Sequence, residues 1–435
     1  MRPINLYSFP KAILHIDGDC FFVSCEVAKN PELRGKSVVT GVERGIVSSL
    51  SYEAKARGVK RAMSLREVKK ICPETIFIPS DYETYSLYSM RMFEIVRRYT
   101  SDVEEYSIDE CFADLTGLQR PLNMSYEKIA EKIKADLDRE LGFTFSIGLA
   151  PSKVLAKLAS KWKKPSGFTP IPGKDIHLFL KDLAVGEVWG VGPQTTSYLN
   201  KLGIRTALDF ANKEKEWVQE KLTKPHYEIW QELRGNLVSE INTEARNNYK
   251  SISKTKTFTP PSTDSDYVFS QLSKNVENAC IKARRHNLVS NKIFFFLKSQ
   301  DFQYFGIEIK LTKSTNTASE ILKEIHKCFS EMYSKGDEYR ATGIVLMKLK
   351  VNECLQMDLF SDSVKTEKMT KLFGSLDEIS KKYGKHTLYL GSSFKAMNGD
   401  QHKNDRKKES ERKNDLFFGE TSRKKLGIPM LGEVY

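Results

Sequence analysis

The chain predicts an α+β protein of several domains, and three observations carry that expectation. Its 435 residues exceed what a single hydrophobic core usually organises, a soft prior of about three domains. Over roughly the first 180 residues, short apolar strand patterns alternate with longer amphipathic helix patterns. After residue 247 a self-contained β-α-β-β-α-β order appears. With 40% hydrophobic residues the chain has the means for packed cores, which argues against wholesale disorder.

The elements follow in order. "KAILHID" reads as a strand, and "VSSLSYEAKARGV" as a strand running into a helix. "YETYSLYSMRMFEIVRRYT" has the period of a long amphipathic helix. "VEEYS" and "CFADLTG" read as two short strands joined at "IDE". A helix in "SYEKIAEKIKADLDREL", a strand in "FTFSIGLA" and a helix in "KVLAKLASKWKK" come next. This mixture predicts an antiparallel-rich sheet with helices on one face. From about 172 to 240 the pattern changes to short helices with tight turns, and the polar residues 241–247 suit a linker. The closing domain takes its strands from "KSISKTKTF", "NKIFFFLKS", "QYFGIEIKLT" and "ATGIVLMKLKV". Its helices are "YVFSQLSKNVENACIKARRH" and "ASEILKEIHKCFSEMYSK". The charged, aliphatic-poor stretch "NGDQHKNDRKKESERKND" is expected to be disordered.

Charge narrows the function classes. Lys and Arg number 69 against 56 Asp and Glu, a net charge of +13. Residues 247–352 hold 17 Lys/Arg and 10 Asp/Glu, over half of that excess in a quarter of the chain. A basic surface suits a polyanion, nucleic acid before membrane. No apolar run approaches the ~20 residues of a membrane span. The start lacks a secretory layout, and the seven cysteines form no CxxC pair or zinc-type cluster. Reduced thiols in a cytoplasmic protein are therefore expected.

The chemistry-bearing residues are acids that interrupt apolar strands. In "ILHIDGDCFF" the period of two puts Ile13, His15 and Asp17 on one strand face. In "YSIDECFADLTG" Asp109 and Glu110 repel each other unless a cation lies nearby. Three converging carboxylates are what Mg²⁺ requires, and two ions ~3.5–4 Å apart need acids that bridge them. In a regular strand Asp109 and Glu110 would point to opposite faces. Both reach one site only if they sit at a bend between the two strands. Taken singly, each acid reads equally as an ordinary turn or strand-end residue.

Four segments carry a resemblance. "HIDGDCFFVSCE", "SYEAKARGV", "YSIDECFADLTG" and "IGLAPSKVLAKLASKWKKPSG" resemble, in order, the signature segments of Y-family translesion DNA polymerases of the bacterial DinB/UmuC branch. The likeness spans roughly residues 10–350. It implies a right-hand polymerase with a ferredoxin-like palm (1–19 and 81–171), small fingers (20–80) and a helical thumb (172–240). A linker at 241–247, a little finger domain at 248–352 and a tail at 353–435 complete the division. Carried over residue by residue, Asp17, Asp109 and Glu110 are the catalytic metal-binding acids for two Mg²⁺ ions, with the Gly18 carbonyl as a further ligand. Asp19 is not a core ligand in the family. Phe22 matches the steric gate against a ribose 2′-hydroxyl, and Phe21, Tyr52, Lys55 and Lys164 match nucleotide contacts. Many DinB-type members have Arg where Lys55 stands; "EAK" leans towards UmuC-type members.

The resemblance also implies partners: primer-template DNA, dNTPs, and a sliding clamp. "VWGVGPQTTSYL" has the turn of a helix-hairpin-helix, in which Gly190 and Gly192 let backbone N–H groups approach a DNA phosphate. Lys250, Lys254 and Lys256 are expected on one strand face, gripping the duplex backbone without reading sequence. "QMDLF" resembles a clamp-binding peptide, with Gln356, Leu359 and Phe360 as its anchors. "GKHTLYLGSSF" resembles a UmuC-type tail segment, which would bring a small UmuD-like accessory subunit. Two other readings compete. Nucleotide cyclases share the palm with paired acids, but need no thumb, hairpin motif or basic closing domain. A catalytically inactive DNA-binding homologue or scaffold would be expected to lack at least one acid of the three.

Overall fold

The computed structural model describes residue 4 and residues 7–244, 249–352, 363–383 and 386–398. The chain divides after Glu244 into two compact units, within the span expected for a linker.

The first unit opens with β1 (Ile13–Gly18), which reverses at Cys20 (φ 47°, left-handed) into α1 (Phe21–Lys29). A small lobe follows: β2 (Val38–Thr40), β3 (Ser49–Leu50), α2 (Tyr52–Ala56), α3 (Leu65–Ile71) and β4 (Ile76–Ile78). Its three strands form their own sheet, ordered β3-β2-β4. Next come α4 (Tyr82–Arg97), β5 (Val103–Glu105), β6 (Glu110–Asp114), α5 (Gln119–Leu122), α6 (Tyr126–Leu141), β7 (Phe145–Ala150), α7 (Lys153–Trp162) and β8 (Phe168–Pro170). The unit ends in short helices: α8 (Ile176–Leu180), α9 (Pro193–Lys201), α10 (Ala207–Ala211), α11 (Lys215–Lys221) and α12 (Lys224–Leu233).

The main sheet runs β5-β6-β1-β7-β8, with β1 antiparallel to both neighbours. A near-continuous apolar run suits that central place, and Ile13, Leu14, His15 and Ile16 are all fully buried. The period of two then sorts them. Leu14 and Ile16 pack with Tyr85, Met92, Ile129 and Ile133 of α4 and α6. Ile13 packs on the other side with Phe112, Ala150 and the α7 residues Val154, Leu155 and Ala159. Helices thus cover both faces, which corrects the expectation of one covered face. The cause lies in α7, where eight of ten residues are buried. Gly148 beneath it has no side chain, and a Cβ there would lie 2.1 Å from the Ala156 carbonyl oxygen. Only glycine lets α7 sit this close to the sheet.

The second unit has the expected order: β9 (Ser251–Ser262), α13 (Ser265–Arg285), β10 (Leu288–Ser299), β11 (Tyr304–Thr315), α14 (Ala318–Met332) and β12 (Tyr339–Val351). Its antiparallel sheet is ordered β11-β10-β12-β9. Ile293, Phe295, Leu297, Ile344 and Leu346 pack with Leu272, Val276, Ile321 and Ile325 of the two helices. Two helices in the tail were not expected, α15 (Ser363–Tyr383) and α16 (Phe394–Asn398). α13 holds this segment. Arg284 donates two hydrogen bonds to Asp377, at 2.6 and 2.8 Å, Phe373 is buried, and Lys395 pairs with Asp264 and Asp266. The stretch expected to be disordered falls, beyond Asn398, outside the described residues. Among the described residues no helix is long and apolar enough to cross a membrane.

Candidate active site

Strand pairing brings the acids together. Asp17 on β1 stands directly opposite Glu110 on β6, so both side chains project from one face of the sheet. The Gly18 N–H donates to the Asp109 carbonyl at 2.8 Å, extending the pairing past the strand. Asp109 sits in the bend before β6. Ser107 makes that bend: its N–H donates to the Glu110 carbonyl at 3.0 Å, and its hydroxyl donates to the Asp109 carboxylate. Glu110 is the first residue of β6, and Asp109 precedes it off the strand. The bend therefore takes Asp109 alone, while Glu110 stays on the strand opposite Asp17.

Each strand acid faces a lysine. The Lys164 ammonium donates to Asp17 Oδ1. Burial pushes the Asp17 carboxyl above its ordinary value; Lys164 opposes this, and the charges of Asp109 and Glu110 add to it. The charges of both neighbouring acids thus reach Asp17. Glu110 behaves oppositely. Burial disfavours its charge, but hydrogen bonds from His15 and Lys157 outweigh that and hold the carboxyl at about 2. Its Oε2 receives Lys157 Nζ at 2.6 Å and His15 Nε2 at 3.1 Å. Burial lowers His15 to about 4, so the ring is neutral near pH 7. Among the described residues no three His, Cys, Asp or Glu side chains close on a single point. The chemistry of the donors nonetheless suits Mg²⁺: the hard carboxylates of Asp17 and Glu110 stand opposite each other on paired strands, and each already accepts an ammonium cation.

Asp19 is 1% exposed, and its Oδ1 lies 3.9 Å from the Lys164 ammonium. It accepts from Ser166 N–H at 2.7 Å, Ser146 at 2.8 Å, Thr144 at 2.9 Å and the Tyr52 hydroxyl at 3.3 Å. Its oxygens are taken up by these internal donors. Tyr52 opens α2, which Ser51 caps by accepting from Ala54 N–H at 3.2 Å. Lys55 lies with its ammonium 5.9 Å from the Tyr52 ring centroid. The Phe22 ring is half-buried and stacks on Tyr85 at 4.5 Å, edge-on to Tyr82 at 5.4 Å. Phe21 is turned into the core, 3% exposed, so only its backbone remains for a ligand.

The expected DNA-contacting residues are scattered differently. Gly190 adopts φ +92°, and Gly192 caps α9 ahead of Pro193. The helix before that hairpin is reduced to a 3-10 turn, Val185–Glu187. Lys254 and Lys256 share a face of β9, but it is the helix-covered one, opposite the buried Ile344 and Thr342. Lys250 precedes the strand. The uncovered face instead shows the half-buried Phe294 and Phe296 and the exposed Tyr304, with Lys298 4.4 Å from the Tyr304 ring. Sequence reading missed this surface, although the alternation in "KIFFFLKS" was its signal. Gln356, Leu359 and Phe360 lie outside the described residues. The roles of His15 and Lys157 beside Glu110 are not legible in the sequence. The period that aligned His15 with Asp17 was the available clue.

Comparison with known proteins agrees with this architecture. The impB/mucB/samB family profile matches residues 16–161, and that of its C-terminal domain matches 249–359. The DNA polymerase IV of Clostridium kluyveri is 34% identical across 88% of this chain and 98% of its own length. DNA polymerase IV 1 of Bacillus subtilis is 32% identical, across 88% and 94%. In fold, the chain is similar to a Y-family DNA polymerase chimera of Dbh and Dpo4, with TM-score 0.66 and 24% identity over 78% of this chain and all of that one. With that identity sustained along nearly the whole length of these relatives, the chain belongs to the impB/mucB/samB family of Y-family DNA polymerases.

Proposed function

We propose that Asp17, Asp109 and Glu110, with the Gly18 carbonyl, hold two Mg²⁺ ions for nucleotidyl transfer to a DNA primer. The chain is a DNA-directed DNA polymerase of the translesion type. The observation that carries the site assignment is the pairing of Asp17 with Glu110 beside the Asp109 bend. Bound there, the ions would lower the pKa of the primer 3′-hydroxyl and offset the charge of the triphosphate and departing pyrophosphate. The chain's own residues do the rest. Lys164 and Lys55 supply point charges for the triphosphate, and the Tyr52 hydroxyl supplies a donor. The Phe22 ring, fixed by Tyr85, rejects a 2′-hydroxyl by overlap. Gly190, Gly192 and the start of α9 receive a backbone phosphate of the duplex. The basic second unit adds sequence-blind grip, to which Lys250, just before the edge strand β9, and Lys254 and Lys256 upon it contribute charge. A clamp peptide at Gln356, Leu359 and Phe360, a UmuD-like subunit and a cytoplasmic setting complete the reading.

Primer extension with Mg²⁺ and dNTPs tests it. Asp109→Ala should bring nucleotide addition to background while DNA binding, chiefly electrostatic, persists. Phe22→Ala should keep dNTP addition and raise the rNTP/dNTP ratio of kcat/KM. Substantial Mg²⁺-dependent extension by Asp109→Ala would remove the metal assignment.

A further inference from the structure

Glu110 is held by three residues that the two-metal reading does not use. One of its oxygens, Oε2, takes both Lys157 Nζ at 2.6 Å and His15 Nε2 at 3.1 Å. A carboxylate oxygen has two lone pairs, so two donors fill it. Oε1 has no such partner from these residues. The polarity of the histidine contact is fixed by its surroundings. The ring is fully buried, and Ser160 Oγ lies 2.7 Å from Nδ1. Whatever the charge of the ring, a carboxylate oxygen at this distance is met by an N–H. Were Nε2 bare, it would face the carboxylate across 3.1 Å, lone pair against charge. Nε2 therefore carries a proton, and Ser160 Oγ holds the ring from its Nδ1 side. Ser160 Oγ also lies 3.0 Å from the Lys157 carbonyl, which ties it to the same turn of α7.

Lys157 is confined as well. Its ammonium lies 4.5 Å from the Tyr106 ring centroid and 5.1 Å from that of Trp189, and its side chain is 9% exposed. Caged this way, it is not free to swing to a nucleotide, unlike Lys164 at 27% exposure. Lys157 and Ser160 stand three residues apart on α7, whose depth above the sheet is set by Gly148. A helix and a strand thus grip one oxygen from two directions.

We infer that His15 and Lys157, with Ser160 behind the histidine, are positioning residues that occupy Oε2 of Glu110 and leave Oε1 as its only oxygen for a metal ion. Glu110 then binds one-handed and in one direction. Buried hydrogen-bond partners of a metal ligand set its orientation in this way. The inference rests on the reading of Glu110 as a ligand.

The test separates the two claims. Mn²⁺ binding, read by electron paramagnetic resonance, is measured with primer-template and a non-hydrolysable dNTP, alongside steady-state kinetics. Glu110→Gln should weaken Mn²⁺ binding at least tenfold; if it does not, the ligand reading fails. Lys157→Met should leave Mn²⁺ affinity equal or tighter, because the second oxygen is freed, while kcat falls at least tenfold and dNTP KM stays within twofold. His15→Gln, which keeps an N–H at the Nε2 position, should retain kcat within about threefold of the wild type. His15→Leu, similar in bulk but without a donor, should lose at least tenfold. Independently of any variant, ¹⁵N shifts of the His15 ring in the intact protein should show the proton on Nε2. A ring with no proton on Nε2 would overturn the inference. So would equal kcat for His15→Gln and His15→Leu, or Lys157→Met kinetics matching the wild type while Glu110→Gln loses Mn²⁺.

Discussion

At the scale of single residues, two acids of one site differ in what they do to the fold. Glu110 is held down at about 2 against an ordinary 4.5, so its ionised form is favoured by folding. That stability is present above the unfolded value and is lost as pH falls from about 4.5 towards 2. It amounts to about 1–2 kcal/mol once solvent screening of a partly exposed carboxylate is allowed for. Asp17 has the opposite sign. Its carboxyl is raised by burial above 3.8, so its contribution is present at low pH and is lost as pH rises through the folded value. Glu110→Gln should therefore destabilise the first unit at pH 7, and Asp17→Asn should leave it equal or more stable. Both should be inactive. Urea unfolding followed by tryptophan fluorescence reads this unit alone, because all four tryptophans (162, 189, 217 and 230) lie within it. Destabilisation of the same size by both variants would contradict the assigned environments. Such a conflict between stability and charge is common where a site must hold carboxylates for a cation.

At the scale of elements, α7 is the part on which the site depends most. It carries Lys157 and Ser160 and leads to Lys164, and it rests on Gly148. Gly148→Ala would put a Cβ 2.1 Å from the Ala156 carbonyl and 2.4 Å from the Ser160 nitrogen, both backbone atoms that cannot step aside. The helix must lift, at a cost of about 1–3 kcal/mol. Extension should fall further than stability alone explains, since three site residues move with it. Urea midpoints and kcat measured on the same preparation check this, and an unchanged kcat would show that α7 does not set the site. The same element shows what was legible beforehand. The helix itself, the strands beside it and the three acids stand out because period and composition are local properties. The grip on Glu110 does not, because it joins positions 95 and 47 residues apart, and the Ser160–His15 contact spans 145. A histidine in an apolar strand and a lysine on a helix are ordinary until the fold juxtaposes them. α15 was passed over for a related reason: its sequence is polar, and Arg284 and the core around Phe373 supply what holds it.

At the scale of the whole molecule, the question is how a basic chain stays with its DNA. The surplus of +13 favours any polyanion, and binding through phosphates alone weakens steeply with salt. A separate link to a partner that encircles or follows DNA would not share that weakness. "QMDLF", residues 356–360, lies between Val351, where β12 ends, and Ser363, where α15 begins. Both flanking elements belong to the second unit. Leu359 and Phe360 together would contribute roughly 3–6 kcal/mol gross on burial, before ordering costs, which suits an exchangeable contact. Tethering makes rebinding intramolecular, so even a modest affinity raises the number of nucleotides added per encounter. Replacing Gln356, Leu359 and Phe360 with Ala should leave extension without clamp unchanged and remove clamp-stimulated processivity. The stimulated rate should also lose its relative resistance to salt, because only the electrostatic grip remains. Equal loss of activity with and without clamp would place these residues in the fold of the second unit and not at a partner.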